Sequence, residues 1–142
     1  MTYNQLIKTL TTLLESHPQI KSVKNRPPSD WLERGSQPEY SIALFTMNDG
    51  AFNAGGEDVF NVVFWFLDKS GMEAEFEDEV ISDQLQIARD IKNLLLVGSN
   101  PYFIDEPILF TTLADKYEDY IAGVTMTVSI HATSNINSCD IV

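Results

Sequence analysis

The chain has 142 residues, of which 44% are hydrophobic and 11% aromatic, and this is enough for one domain with a single core. Its net charge is −12: residues 1–34 carry five basic and three acidic side chains (+2), and residues 35–142 carry four basic and 18 acidic ones (−14). This balance excludes nucleic-acid binding through clustered phosphate contacts, the apolar runs are shorter than the roughly 20 residues of a membrane helix, and one cysteine excludes an internal disulfide.

The N-terminal part is predicted to form one helix and one short strand. Residues 2–16 place leucines at positions 6, 10, 13 and 14, which share one face of a helix, and Thr2 is a suitable N-cap. Residues 19–25 are predicted to form a strand. Residues 26–39 contain three prolines and a glycine, so they are predicted to form a loop.

Two further strands and a glycine-containing loop are predicted in the middle of the chain. Residues 40–47 are predicted to form a strand, and residues 48–58, NDGAFNAGGED, are predicted to form a loop because three glycines permit positive φ. Residues 59–67, VFNVVFWFL, are apolar at nearly every position. Such a strand is covered on both faces, and another subunit is predicted to supply the second cover.

The second half is predicted to contain a long helix and two strands. Residues 73–97 begin with acidic side chains and continue with a helical apolar stripe formed by Ile81, Leu85, Ala88, Ile91 and Leu95. Residues 108–113 are a predicted strand, followed by a polar connection at 114–120. Residues 121–132 alternate apolar and polar side chains after a possible bulge at Ala122 and Gly123, which predicts one buried and one polar sheet face.

These elements predict an α+β fold in the order α-β-β-β-α-β-β, with two helices packed on a mixed, mainly antiparallel sheet. We expect a single domain over residues 1–142, with residues 133–142 as an extended C-terminal tail.

No catalytic or cofactor-binding motif is found. His17 follows the first helix and His131 lies on the polar face of the last strand, and structural roles are the expectation for both. Cys139 has no base near it in sequence. The phosphate-binding patterns GxGxxG and GxxxxGK are absent. We therefore expect no enzymatic activity, no metal and no cofactor.

An acidic cluster precedes and opens the second helix, and three explanations are weighed for it. It can be the solvated start of a helix, a cation site or a surface that repels an anion. A cation site is disfavoured because no calcium-binding loop pattern is present. The members of the cluster are Glu73, Glu75, Glu77, Asp78, Glu79 and Asp83.

The order of elements resembles that of the small tail-terminator and head-to-tail neck proteins of tailed bacteriophages. The resemblance is carried by the segments TYNQLIKTLTTLLES, YSIALFTM, VFNVVFWFL, ISDQLQIARDIKNLLL and LADKYEDYIAGVTMTVSIHA. It implies a virion protein, assembled in the host cytoplasm, that forms a six-fold or twelve-fold ring of its own copies. The ring surrounds the DNA channel next to portal, neck or tail proteins, and DNA passes without specific binding.

Two sets of residues are assigned within this expected ring. Carboxylates facing the channel are expected to repel the DNA phosphates; they are Glu57, Asp58, Glu73, Glu75, Glu77, Asp78 and Glu79. The subunit interface is expected to combine aromatic and terminal apolar side chains with basic groups of the N-terminal section; they are Phe52, Phe60, Phe64, Trp65, Phe66, Lys21, Lys24, Arg26, Arg34, Ile136 and Ile141.

Two alternative functions remain open from the sequence. An acidic secretion-type chaperone is also small and α/β, and it predicts an isologous dimer with a peptide-binding groove. A metal-dependent nuclease predicts cation binding at the carboxylates, but Asp115 and Lys116 supply only a fragment of such a motif.

Overall fold

The structure is a computed structural model that describes residues 2–28, 40–69, 74–97, 100–116 and 121–133. Within these ranges it is an α+β fold with two long helices on one face of a mixed sheet of six strands. The order of the elements matches the prediction, with one short strand added. They are α1 (Tyr3–Glu15), β1 (Ser22–Lys24), β2 (Ile42–Asn53), β3 (Glu57–Lys69), α2 (Ala74–Leu95), β4 (Tyr102–Ile104), β5 (Leu109–Lys116) and β6 (Ile121–Thr133).

The sheet is antiparallel except for the pairing of β1 with β2. Its order is β1-β2-β3-β6-β4, and β5 also pairs with β6. β4 and β5 follow one another along the same edge of β6, where β4 pairs with residues 130–132 and β5 with residues 121–127. β2 and β5 therefore lie on opposite sides of the β3–β6 pair.

Helix α1 begins with a complete capping box. The Thr2 hydroxyl accepts from the Gln5 backbone N–H at 3.2 Å, and the Gln5 side chain accepts from the Thr2 backbone N–H at 2.8 Å. Both bonds satisfy N–H groups that the first turn leaves without partners. Leu6, Leu10 and Leu14 are buried in the core, as the leucine spacing predicts.

Helix α2 buries its stripe against the same face of the sheet. Ile91 and Leu95 are enclosed as predicted, and so are two residues outside the predicted stripe, Ile87 and Gln84. Gln84 is buried because its side-chain oxygen accepts from the buried Ser41 hydroxyl at 3.0 Å. This hydrogen bond joins α2 to the start of β2.

The alternation of β6 is confirmed. Val124, Met126, Val128 and Ile130 are buried under the helices, while Thr127 on the opposite face is exposed.

The predicted bulge is wrong in its position. β6 stays in register with β3 through Ala122 and Gly123, and the shift lies in β5 between Leu113 and Lys116. Gly123 has a different role: a Cβ there would lie 1.9 Å from the Phe66 carbonyl oxygen. β3 and β6 can approach each other at this point only because position 123 lacks a side chain.

The loop predicted at residues 48–58 is instead the distal part of a β-hairpin. β2 continues to Asn53, β3 begins at Glu57, and a turn with Gly55 and Gly56 at φ 86° and 79° joins them. The register shifts by one residue between Met47 and Asp49. Pairing of β3 with β6 as far as Thr133 supports this extension, which the polar and glycine-rich sequence does not suggest.

The sheet face turned away from the helices is closed at one end by the chain itself. Ile42, Leu44, Leu67 and Ile121 are wholly buried there and form a second, smaller apolar cluster. The prediction that another subunit covers this face of β3 is therefore wrong at the Leu67 end.

Candidate assembly surfaces

The first candidate surface is the distal part of the β2–β3 hairpin, residues 48–58, called here the arm. Residues 48–56 are exposed, and Phe52 has 93% of its surface accessible. Phe52 pairs with Asp58, which pairs with Ala132, so all three lie on the helix side of the sheet. β1 pairs with β2 only as far as Leu44, and beyond it the outer edge of β2 has no neighbouring strand among the described residues. The arm thus combines an open strand edge with an exposed aromatic ring.

A cluster around His131 fixes the arm to the rest of the sheet. His131 Nδ1 lies 2.7 Å from Glu57 Oε1, and its Nε2 lies 2.7 Å from Asp105 Oδ2. The Phe103 ring stacks on the imidazole with centroids 4.5 Å apart. Glu57 belongs to the arm, His131 to β6, and Asp105 follows β4, so three segments meet at one ring.

The two carboxylates favour the charged form of this histidine. Both ring nitrogens face acceptors, and only an imidazolium donates from both. Hydrogen bonds to Glu57 and then to Asp105 raise the pKa of His131. Conversely, the hydrogen bonds from His131 and then Asn53 lower the pKa of Glu57. A ring held at both nitrogens has no free position for general-base chemistry, so this cluster serves as an anchor.

A second row of hydrogen bonds crosses the sheet at the base of the arm. The Asn61 amide donates to Asp49 Oδ1 at 2.6 Å, and the Ser129 hydroxyl donates to Asn61 Oδ1 at 2.7 Å. These residues lie on β2, β3 and β6, on the face away from the helices. Asn61 is the one polar residue in the apolar run of β3, and the row explains its presence.

His17 is held in a different way. Its Nδ1 accepts from the Gln19 backbone N–H at 3.1 Å, and its Nε2 donates to Asp90 at 2.9 Å. This bond is the first cause of a lowered pKa of Asp90. It joins the C-terminal end of α1 to α2. In the described ranges, no group of three or more His, Cys, Asp or Glu side chains is arranged to hold a metal ion.

The second candidate surface lies on the opposite edge of the sheet. Phe110 of β5 is 55% exposed and pairs with Met126, so it lies on the helix side of the sheet. Leu109 and Phe103 are 69% and 57% exposed at the same edge but on the opposite face. A cavity of about 230 Å³ opens between helix α2 and strand β5 and is called here the α2–β5 groove. Its wall is apolar with two cations at the rim; the lining residues are Leu85, Ala88, Ile108, Phe110, Met126, Arg89 and Lys92.

The predicted channel carboxylates fall into two groups. Glu57 and Asp58 lie on the arm, whereas Asp78 and Glu79 are exposed near the start of α2. Glu57 and Asp58 are the first two residues of β3, and the chain follows the whole of this strand, 13 residues or roughly 40 Å at about 3.3 Å per residue, before it reaches α2. Glu75 and Glu77 lie in α2, but their side chains are outside the described set, and Glu73 lies outside the described residues altogether.

Two of the predicted interface residues are placed wrongly. Phe64 and Phe66 are 0% exposed in the core, stacked on each other at 6.2 Å, and cannot contact another subunit without unfolding. They are buried because even-numbered positions of β3 face the helices.

The other predicted interface residues do not share one surface, and three of them lie outside the described residues. Phe60 is partly buried and stacks on Tyr3, and Trp65 packs against the second apolar cluster. Phe52, Lys21, Lys24 and Arg26 are exposed, and Arg34, Ile136 and Ile141 lie outside the described residues.

The residues of the second surface were not among those predicted from the sequence. One signal was available: Arg89 and Lys92 are the only basic residues between Lys69 and Lys116. Their spacing of three places both on one side of a helix. The short strand β4 and the exposed Phe110 gave no comparable signal, because their contacts depend on pairing with β6.

Comparison with known proteins identifies no family. No protein-family model matches the chain, and no curated protein has a significantly similar sequence. Among the helices of the described residues, none has the length and apolarity needed to cross a membrane. Any functional conclusion therefore depends on the surfaces described above.

Proposed function

We propose that this protein is a non-enzymatic structural subunit that assembles with its own copies into a ring. The ring surrounds the DNA channel in the neck or tail of a tailed bacteriophage, as a tail terminator or head–tail connector. The supporting observation is that two different apolar surfaces lie on opposite edges of one sheet. These are the arm with Phe52 and the α2–β5 groove with Phe110.

Two unlike surfaces on opposite sides of a subunit favour head-to-tail assembly. A two-fold dimer uses the same surface twice, whereas a rotational ring joins one surface to a different one on the next copy. Large exposed apolar side chains grouped together are typical of sites that become buried on association. The placement of Phe52 and Phe110 on edges that face away from each other therefore suits a closed ring.

The acidic surface supports the second part of the proposal, the passage of DNA. Asp78 and Glu79 are exposed, and the chain has a net charge of −12. Carboxylates repel phosphates over a screening length of about 8 Å at physiological salt, so only those at the lumen act on passing DNA. Because His131 pairs with Glu57, Asp78 and Glu79 are the better candidates for this role.

Sedimentation velocity and negative-stain microscopy of the purified protein test the proposal. We expect a closed ring of six or twelve copies with a central opening wide enough for duplex DNA. A dimer that does not grow with concentration would favour the chaperone alternative and contradict the ring.

The role of the carboxylates is tested in assembled particles. Asp78→Lys with Glu79→Lys should leave ring formation intact and slow DNA passage, because cations at the lumen attract phosphates. Matched reversal of Glu15 to Lys, on the exposed side of α1, is the control. Equal DNA release from both variants would show that Asp78 and Glu79 do not face the channel.

A further inference from the structure

We propose that Phe52 of one copy inserts into the α2–β5 groove of the next copy, with Asp58 beside the rim cations Arg89 and Lys92. This inference rests on the proposed head-to-tail assembly and names the residues of its contact. The arm acts as the inserted element, and a second copy of this chain is its partner.

The arm is suited to insertion because its ring is exposed but its backbone is fixed. Phe52 is 93% accessible, the highest value among the large apolar side chains described. Glu57 is bonded to His131, and Asp49 to Asn61, so both strands of the arm are joined to the sheet beneath. A preorganised aromatic side chain loses little conformational freedom on binding, which is why such residues dominate interface energies.

The groove matches this ring in size and character. Its volume is about 230 Å³, and a cavity of about 150 Å³ already accepts a benzene ring. Leu85, Ala88, Ile108 and Met126 supply apolar walls, and Phe110 offers a ring for an aromatic contact. The neighbouring hollow adds Leu96, Pro107 and one acidic residue, Glu106.

The charges on the two surfaces are complementary. Asp58 lies directly across from Phe52 on the same face of the hairpin. Arg89 and Lys92 lie at the rim of the groove, and neither they nor Asp58 forms an ion pair within the described parts of the chain. In a chain with 21 acidic and nine basic residues, two cations at an apolar groove select an acidic partner.

The arm cannot fill the groove of its own chain. Phe52 shares a row of the sheet with Asp58 and Ala132, whereas Met126 of the groove pairs with Phe64. The two rows are six residues apart along β3, which is about 20 Å, and the arm and β5 lie on opposite edges. The contact must therefore form between copies, and it joins unlike surfaces.

Single substitutions measure the contribution of each side. Phe52→Ala and Lys92→Glu should each weaken self-association about tenfold or more in sedimentation experiments, because they remove the aromatic anchor or its charge partner. Phe76→Ala is the matched control, since Phe76 is an exposed phenylalanine on α2 outside the groove. Circular dichroism and thermal unfolding verify that every variant is folded.

A charge exchange and a mixing experiment test the pairing itself. Asp58→Lys combined with Lys92→Glu should recover association that each change alone loses. An equimolar mixture of Phe52→Ala and Lys92→Glu should form heterodimers, because the intact arm of one meets the intact groove of the other, but should form no rings. A contact using the same surface twice would give no recovery in the mixture.

Photocrosslinking locates the contact directly. Benzoylphenylalanine at position 52, in a mixture of ¹⁴N- and ¹⁵N-labelled protein, should give crosslinks between copies to peptides containing Arg89–Lys92 or Ile108–Phe110. Crosslinks confined to other segments, or an unchanged assembly in both single variants, overturn the docking contact.

The outcomes separate this contact from the proposed function. Rings that form independently of Phe52 and Lys92 leave the proposed function standing and overturn the contact. Open chains that depend on Phe52 support the contact and overturn the closed ring. A wild-type chain that remains monomeric at every concentration and gives no crosslink overturns the contact.

Discussion

Phenylalanine is buried at one end of the β2–β3 hairpin and exposed at the other. Phe64, in the proximal half, is 0% exposed beneath the helices, whereas Phe52, in the arm, is 93% exposed. Both lie on the helix side of the sheet. The difference arises because α1 and α2 cover the proximal half only. In this hairpin, the part of the sheet that the helices cover, and not the residue type, determines whether a phenylalanine is buried in the core or exposed.

The two ends are also stabilised by different forces. The proximal half is held by apolar burial, with Phe45, Phe64 and Phe66 stacked in sequence. The arm is held by hydrogen bonds and ion pairs, above all the cluster of Glu57, His131 and Asp105. Substitutions at the two ends should therefore differ in size and in pH dependence.

The largest expected difference is between two alanine substitutions. Phe64→Ala should lower the free energy of unfolding by about 3–5 kcal/mol, because it leaves a cavity in the core. Phe52→Ala should change it by less than about 0.5 kcal/mol, because an exposed side chain loses little. Urea unfolding at a concentration where the protein is monomeric measures both. Equal losses would mean that the arm folds back against the core in solution.

A polar contact of the proximal half gives the next largest effect. Ser41→Ala removes the hydroxyl that donates to the buried oxygen of Gln84, which should cost about 1–3 kcal/mol. Ser82→Ala, an exposed position on the same helix, is the control and should change stability by less than about 0.5 kcal/mol. A loss no greater than the control would show that the junction of α2 and β2 tolerates an unpaired amide oxygen.

The turn of the arm should respond more weakly and locally. Gly55→Ala or Gly56→Ala places a side chain at positive φ, where about 1–2 kcal/mol of backbone strain is expected. No atom lies within 4 Å of either new Cβ, so the strain comes from the backbone alone. Hydrogen exchange should rise in residues 49–61 while β6 remains protected. Loss of protection throughout the sheet would show that arm and core unfold as one unit.

The smallest effect is the pH dependence of the arm. Because its pKa is raised from 6.5, His131 stabilises the folded state fully below that value, and the contribution is lost as the pH rises through the raised pKa. The contribution of His131 to stability is modest because its carboxylate partners, Glu57 and Asp105, are partly exposed to solvent. Melting temperatures measured from mildly acidic to mildly alkaline pH should fall in the wild type and stay flatter in His131→Gln. Identical profiles in the two proteins would show that the charged imidazole of His131 does not stabilise the folded state.

In the acidic range, two carboxylates contribute to the pH dependence of stability. The pKa values of Glu57 and Asp90 are lowered, so both stabilise the fold above their unfolded values and lose this contribution as the pH falls. Asp68 acts in the opposite direction because burial raises its pKa. Therefore only the loss of stability at rising pH, which comes from His131, reports specifically on the arm.

The sequence predicts most of the elements because their periodicity reports a single buried face. The leucines of α1 and the alternating residues of β6 are examples, and both are buried as expected. The arm was predicted as a loop because its asparagines, aspartates and glycines have low strand propensity. It is a hairpin because its second strand pairs with β6, a partner more than 70 residues further along the chain.

The candidate surfaces could be predicted only in part. Phe52 was included in the predicted interface, whereas the neighbouring assignment of Phe64 and Phe66 did not consider which face each position of β3 occupies. The His131 cluster joins residues 74 and 26 positions apart, so no local pattern contains it. The α2–β5 groove likewise exists only once helix and strand are packed together.

The one-residue register shift after Met47 determines which side of the sheet Phe52 faces. Odd-numbered positions of β2 face the helices before Asn48 and even-numbered positions face them after it. Without this shift, simple alternation of the same residues would place the even-numbered Phe52 on the opposite side of the sheet. One additional residue in the backbone of β2 therefore keeps Phe52, the most accessible large apolar side chain among the described residues, on the same side of the sheet as the phenylalanines of the core, and a change of sequence at position 48 that preserves the shift would leave this direction unchanged.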